Sequence, residues 1–284
     1  MGERVVVITS CSTGIGLSTA VQLAKSEAKK YIVYATMRNL AKKGPLVEKA
    51  GDTLNKNLFI IEMDVKSESS VKAAVKKVFN ARGRIDVLVN NAGVGMVGAL
   101  ECQSMDSIKN IYETNVYGVI HCIKAVLPSM KKKESGQIIT VSSGAGRFGV
   151  PLCAAYCSSK HAISGLTESL APTLKQFNIN ISVVEPGPVS TEFTNTVRSI
   201  GFSGIEDGDE KTKKLVESFT SSMDKIVTKA QKGEEVAECI QKVVETEIPN
   251  VYYTTSPALD AMTAKKYVDI TGNSFLTSFP QYLK

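Results

Sequence analysis

Short runs of apolar, largely β-branched residues alternate along the chain with longer stretches in which apolar positions recur every three to four residues. Runs of the first kind predict buried strands, and the second kind predict amphipathic helices. Strands are expected at Arg4 to Thr9, Tyr31 to Thr36, Leu58 to Met63, Val87 to Asn90, Gln137 to Ser142, Ile179 to Glu185 and Val251 to Thr254. Helices are expected near 15–27, 68–82, 104–133 with a break at 113–115, 156–177 and 234–247. Ser67 stands at the N-cap of the Val71, Ala74, Val75, Val78 stripe, and Pro128 is expected to bend or end the last turns of its own helix. This alternation implies an α/β fold, a doubly wound parallel sheet with helices on both faces, as a single domain over residues 1–284. Ser190 to Gly233 breaks the rhythm, with Gly201, Gly204 and Gly208 around an acidic run from Glu206 to Glu210. Following a strand's carboxyl end, an insertion near 190–233 is expected to lie over the ligand crevice as a substrate lid.

Composition narrows the classes. A hydrophobic share of 43% over 284 residues suffices for one large core. The longest apolar runs fall far short of the roughly 20 residues that a membrane span needs, and no leader-like pattern follows Met1, so a cytoplasmic, non-secreted protein is expected. Six cysteines without a CxxC pair read as reduced, packed thiols, and the two histidines do not stand at metal-ligand spacing, so no metal is expected. The net charge of +6 raises the question of nucleic acid. Lys131, Lys132 and Lys133 close a helix, where cations suit the macrodipole, and the other lysines are dispersed among acids, so no nucleic-acid partner is expected. The residual basicity is compatible with weak peripheral contact with an anionic membrane.

The candidate chemistry lies in two places. The first strand runs into Ser10-Cys11-Ser12-Thr13-Gly14-Ile15-Gly16, and a helical pattern starts at once with Leu17, Ala20 and Val21. A turn of small residues there lets backbone N–H groups and the helix dipole meet a pyrophosphate. After the second strand comes Arg38 with no acid before Glu48, which favours a 2′-phosphate and hence NADP(H), with Thr13 as a second phosphate contact. Further on, Tyr156 and Lys160 are four apart and share a helix face, with Ser143 just after a strand. A phenol of ordinary pKa about 10 is a poor acid/base, and the neighbouring ammonium is expected to lower it. Tyr156 could then exchange a proton with a substrate oxygen that Ser143 polarises.

Thr9 to Gly16 resembles the Thr-Gly-x-x-x-Gly-Ile-Gly nucleotide signature of the short-chain dehydrogenase/reductase family, with Ser10 where that family has glycine. If position 10 is left-handed, a non-glycine residue there costs about 1–2 kcal/mol, roughly tenfold in cofactor affinity. Asn90-Asn91-Ala92-Gly93, Asn115, Ser143, Tyr156, Lys160 and Pro186-Gly187-Pro188-Val189, ending in Thr191, complete the resemblance, which spans Arg4 to about Phe193. It implies a Rossmann-type fold with Thr9, Ser10, Ser12, Thr13, Gly14, Ile15 and Gly16 at the cofactor phosphates and Asp64 with Val65 at the adenine. It further implies Asn91, Ala92 and Gly93 at the adenosine ribose, Lys160 on the nicotinamide ribose, and Asn115 holding a proton-relay water. Pro186, Gly187, Val189 and Thr191 would clamp the nicotinamide carboxamide. A homodimer through the helices near 115–133 and 156–177 is also implied.

Tyr34 to Arg38, Lys124 to Lys131 and Val184 to Val189 resemble the branch of the family containing oestrogenic 17β-hydroxysteroid dehydrogenase and photoreceptor retinol dehydrogenase, which act on large apolar substrates. Gly144, Val150, Leu152 and Cys153 would supply an apolar wall. Steroid-specific members of that branch use a histidine after the lid for the far end of the substrate. This chain has no histidine beyond His161, and Ser221 or Ser222 falls nearest, which tilts the expected substrate from a 17-ketosteroid towards retinal. The alternative is a catalytically silent NADPH-binding regulator on the same fold, encouraged only by Ser10.

Overall fold

The computed structural model describes residues 3–27, 30–193, 197, 205, 208–227 and 230–268. Seven strands, β1 (Arg4–Ile8), β2 (Tyr31–Met37), β3 (Leu58–Glu62), β4 (Val87–Asn90), β5 (Gly136–Val141), β6 (Ile179–Glu185) and β7 (Tyr252–Thr254), build one sheet. Their order is β3-β2-β1-β4-β5-β6-β7 and every pairing is parallel. Every strand coincides with a run of apolar residues to within a residue or two. Chain progression reverses between β1 and β4, so the crevice of a doubly wound sheet opens at the carboxyl ends of these two strands.

Nine helices surround the sheet among the described residues: α1 (Gly14–Ala24), α2 (Gly44–Ala50), α3 (Glu68–Arg82), α4 (Met105–Tyr112), α5 (Gly118–Lys133), α6 (Ala154–Lys175), α7 (Glu210–Val227), α8 (Gly233–Glu245) and α9 (Pro257–Val268). Strand alternation divides the interior into two cores. Val6, Ile8, Val33, Val87 and Val89 pack with Leu23 of α1 and Ile240 and Val243 of α8. Val5, Val7, Leu88 and Ile138 face the other way, against Val71 and Val78 of α3, Val126 of α5 and Ile163 of α6. Because both sheet faces are covered, the strands read as continuous apolar runs.

Ser67 caps α3, its side chain accepting a hydrogen bond from the Ser70 amide at 3.2 Å. The break expected at 113–115 is a π-helical turn over Glu113–Tyr117, joining α4 to α5. Pro128 does not end α5, which runs on to Lys133. Proline removes one ladder bond, but Val119, Cys122, Ile123, Val126 and Met130 are all buried in the core and carry the helix past it. Helices α2, α7 and α9 were not expected from the sequence. α7 falls within the stretch read as an irregular lid, with Val216 and Phe219 fully buried. Residues 194–196, 198–204, 206–207 and 228–229 of that stretch, with the glycines at 201 and 204, lie outside the described residues, as do 269–284. No helix among the described residues is long and apolar enough to cross a membrane.

Candidate active site

The turn after β1 is locked by its neighbours. Thr9, almost fully buried, accepts hydrogen bonds at Oγ1 from the amides of Asn91 (2.9 Å) and Ala92 (2.8 Å), while Asn91 Nδ2 donates to the carbonyls of Thr9 (2.9 Å) and Ser10 (3.1 Å). The Cys11 amide donates to Thr36 O at 2.8 Å. Held this way, Ser10 adopts φ +60°, the left-handed conformation that glycine takes without steric penalty. Position 10 is therefore left-handed, the case in which a non-glycine residue costs about 1–2 kcal/mol, and the hydrogen bonds that hold it so are the protein's own. Gly14 is also left-handed at φ +60°, and Thr191 lies over it, 3.4 Å from where a Cβ would stand. At Gly16 a Cβ would fall 2.4 Å from both Asn91 Nδ2 and Ser10 O, so only glycine fits. The Thr13 side chain caps nothing, and Thr13 is exposed while Ser12 is half-buried at the start of α1. The N–H groups of the first helical turn have no intrahelical partners.

Arg38 follows the buried Met37 at the carboxyl end of β2 and is exposed. Asp64 Oδ1 accepts from the Lys66 amide at 3.0 Å, and Val65 is buried against Gly118 at the start of α5. The phosphate turn, Arg38, Asp64 and Asn91–Gly93 thus follow four adjacent strands at one edge of the sheet.

Across the switch point, β5 delivers Ser143 into a single 3-10 turn, Gly144–Gly146. Ser143 Oγ accepts from the Ala145 amide at 3.2 Å, leaving its own proton to donate, and it shares a hydrogen bond with Tyr156. Lys160, 5% exposed, donates from Nζ to Val141 O at 3.2 Å and lies 5.8 Å from the centre of the Tyr156 ring. Burial lowers Lys160 to about 8. Burial also raises Tyr156 well above its ordinary value, and the Ser143 hydrogen bond only partly counters this. The phenol is thus shifted in the direction opposite to that expected from an adjacent ammonium, because removal from water dominates.

Asn115 lies in the π-helical turn, fully buried. Its Oδ1 accepts from Val94 N (2.8 Å), and its Nδ2 donates to Val94 O (2.9 Å) and Ser159 Oγ (3.0 Å). A Cβ on Gly93 would fall 3.5 Å from Asn115 Oδ1 and 3.6 Å from Lys160 Nζ, so the loop after β4 lies against both side chains.

Around Tyr156 the surroundings are apolar. Ala145, Cys153, Cys157 and Phe219 form a buried cluster with Val97, Val150, Leu152, Tyr156 and Met223 against it, and Phe193 stands 6.1 Å from the Tyr156 ring. Val150 and Leu152 lie in the expected wall. Gly144 does not, because Leu259 of α9 and Phe148 cover it, leaving 2.5 Å and 3.2 Å to a Cβ there. Leu152 adopts φ +58° while its carbonyl accepts from the Gly98 amide at 2.7 Å, a strained non-glycine residue at the wall itself. On α7, Ser221 is exposed and Ser222 half-buried, whereas Phe219 and Met223, one turn apart, face Tyr156. Phe219, Met223 and Leu259 were missed from the sequence. The apolar spacing of Val216, Phe219 and Met223 was the available signal for α7. All six cysteines are free thiols, and among the described residues no group of His, Cys, Asp or Glu could hold a metal.

Residues 4–200 match the family model of the short chain dehydrogenases. Bovine retinol dehydrogenase 8 is 40% identical over 276 residues, covering 96% of this chain and 88% of that protein. Rat estradiol 17-beta-dehydrogenase 1 is 35% identical over 278 residues, covering 97% and 80%. The solved structure of ElxO with NADP bound is similar at a TM-score of 0.74 and 26% identity, covering 92% of this chain and all of that one. With the strand order, the glycine-dependent turn and the Ser143, Tyr156 and Lys160 cluster already in place, these likenesses show that the chain belongs to the short-chain dehydrogenase family of oxidoreductases.

Proposed function

We propose that the protein reduces a carbonyl on a large apolar substrate, a retinoid before a steroid, using NADPH. The observation carrying this reading is Tyr156, half-buried, with Ser143 and Lys160 on one side and the wall of Val150, Leu152, Phe219 and Met223 on the other. The residues fit the cofactor. Gly16 lets α1 start tight against Ser10 and Asn91, the first turn of α1 has N–H groups without intrahelical partners, and exposed Arg38 follows β2 where a 2′-phosphate would lie. Pro186, Gly187, Val189 and Thr191 would hold the carboxamide, and Lys160 the nicotinamide ribose. NADPH, when bound, supplies the hydride to the carbonyl carbon. Ser143 donates a hydrogen bond to the substrate oxygen as negative charge develops there. Tyr156, protonated at neutral pH as a phenol of ordinary pKa is, donates its proton to the same oxygen. The Lys160 ammonium then stabilises the phenolate. Asn115 has spent its side chain on Val94 and Ser159, so a relay water at this turn would be held by the main chain.

The far end of the wall favours retinal, whose ring end is hydrocarbon. Among the described side chains of α7, Phe219 and Met223 reach the cluster, and no histidine follows His161 in the sequence to bind a distal steroid oxygen. A homodimer through α5 and α6, in a cytoplasmic protein with weak peripheral membrane contact, belongs to the same reading. Tyr117, 48% exposed just before α5, supplies apolar contact area for it. NADPH oxidation with all-trans-retinal, oestrone and a small aromatic ketone under identical conditions tests the substrate. The largest kcat/KM is expected for retinal. A clear preference for oestrone would reverse the ordering, and tight NADPH binding with no turnover of any carbonyl would favour the silent regulator.

A further inference from the structure

Two loops must keep their spacing for a hydride to reach a carbonyl held by Ser143 and Tyr156. One is the Ser143–Arg147 turn after β5, and the other is the Pro186–Thr191 segment after β6. The strands are in register up to Val141 and Val184, and the Ser142 amide donates to Val184 O at 2.8 Å. Beyond that point the main-chain tie is the longer bond from the Gly144 amide to Pro186 O, at 3.3 Å. An ion pair adds a side-chain tie between the two segments. Arg147 Nε lies 2.9 Å from both carboxylate oxygens of Glu185, with the side chains 14% and 0% exposed.

Each partner sits at an informative position. Arg147 closes the turn that Ser143 opens, its amide donating to Gly144 O at 2.9 Å. Glu185 is the last residue of β6, directly before Pro186. The guanidinium stacks 3.2 Å above the ring of Tyr252 on β7, and the Arg147 carbonyl accepts from Lys266 of α9. The turn's other flank rests on α6, where Ser164 Oγ donates to Gly146 O at 3.1 Å and a Cβ on Gly146 would meet Lys160 O at 3.0 Å. Burial opposes the charge on Arg147, but its contacts with Glu185 and Tyr267 outweigh this and hold its pKa above the ordinary value.

We infer that Arg147, held between Glu185 and Tyr252, is a positioning residue that sets the distance and angle between the substrate oxygen at Ser143 and the nicotinamide at Pro186. It touches neither substrate nor cofactor. Stability alone is a poor reason for a buried ion pair, since apolar replacement of both partners is often neutral or better for folding. Sub-ångström placement, by contrast, directly changes the rate of transfer between positioned groups.

The inference rests on the carbonyl-reductase reading, and its test separates the two. Arg147→Met/Glu185→Leu removes both charges together, so the melting temperature should stay within a few degrees of wild type. The expected result is NADPH affinity within about threefold, a kcat about 30-fold lower, and a larger primary isotope effect with 4-deuterated NADPH. Should that variant fail to fold, Tyr252→Leu removes the ring beneath the guanidinium, with Tyr252→Phe as the control for the hydroxyl's bond to Glu168, and should lower kcat about fivefold relative to Tyr252→Phe at unchanged NADPH affinity. A kcat within twofold of wild type in the double variant, or within twofold of Tyr252→Phe in Tyr252→Leu if that is the variant assayed, would overturn the inference. So would a loss that lies wholly in NADPH affinity, or one that disappears at temperatures where the variant is fully folded. Tyr156→Phe, assayed in parallel, reports on the underlying reading. Full activity there sinks the reading, whereas an inactive Tyr156→Phe beside a fully active double variant sinks only the role of Arg147.

Discussion

The cofactor side and the substrate side of the crevice each contain a non-glycine residue near φ +60°, Ser10 and Leu152, yet the two residues sit in differently built surroundings. Ser10 is enclosed by backbone and short side-chain hydrogen bonds between adjacent strands: Thr9 to Asn91 and Ala92, Asn91 back to Thr9 and Ser10, and Cys11 to Thr36. Leu152 is pinned by one backbone bond to Gly98 and otherwise by apolar packing from distant segments, with Phe219 coming from α7. A ligand that is the same in every turnover can be met by a rigid, hydrogen-bonded cradle. On the proposed reading, an apolar substrate is met by side chains whose identity sets the shape.

The contrast can be broken from either side. Gly16→Ala has the largest expected effect, because its Cβ would lie 2.4 Å from Ser10 O and Asn91 Nδ2 and the turn would have to open. NADPH affinity measured by calorimetry should fall by about two orders of magnitude, in line with the usual overpacking cost of about 1–3 kcal/mol. Binding within threefold of wild type would show that the cradle is not tight. Leu152→Gly relieves the backbone but removes a wall. KM for retinal should rise about tenfold, on the scale of losing one leucine side chain from an apolar contact, while KM for a small aromatic ketone moves less than threefold. Equal changes for both substrates would mean that Leu152 acts through the fold. Ser10→Gly has the smallest expected effect. Relief of about 1 kcal/mol should raise the melting temperature by roughly 2–4 °C and leave NADPH affinity within threefold. A tenfold gain in affinity at constant melting temperature would return the strain to the binding step.

How much of the molecule was legible follows the same divide. The strands showed as apolar runs because both sheet faces are covered, and the break expected at 113–115 falls in the π-helical turn over Glu113–Tyr117. The tight turn after β1 and the proximity of Ser143, Tyr156 and Lys160 were legible because local spacing places them, four residues on one helix face or one turn after a strand. Helix α7 was hidden among glycines and charges, although Val216, Phe219 and Met223 carried its period. Leu259 could not be placed by eye, since its contact with Gly144 spans more than a hundred residues. The pairing of Arg147 with Glu185 requires the β5–β6 register and the turn that follows. The direction of the Tyr156 shift was misjudged for a related reason. Spacing puts Lys160 on the right face, but only the fold shows the ring withdrawn from water.

The claim that Tyr156 is the proton donor of a carbonyl reductase is most directly tested by Tyr156→Phe, assayed for NADPH oxidation with all-trans-retinal and for NADPH binding by calorimetry. Turnover should fall at least a hundredfold while NADPH affinity stays within a few fold. Retention of more than a few per cent of wild-type turnover would contradict it.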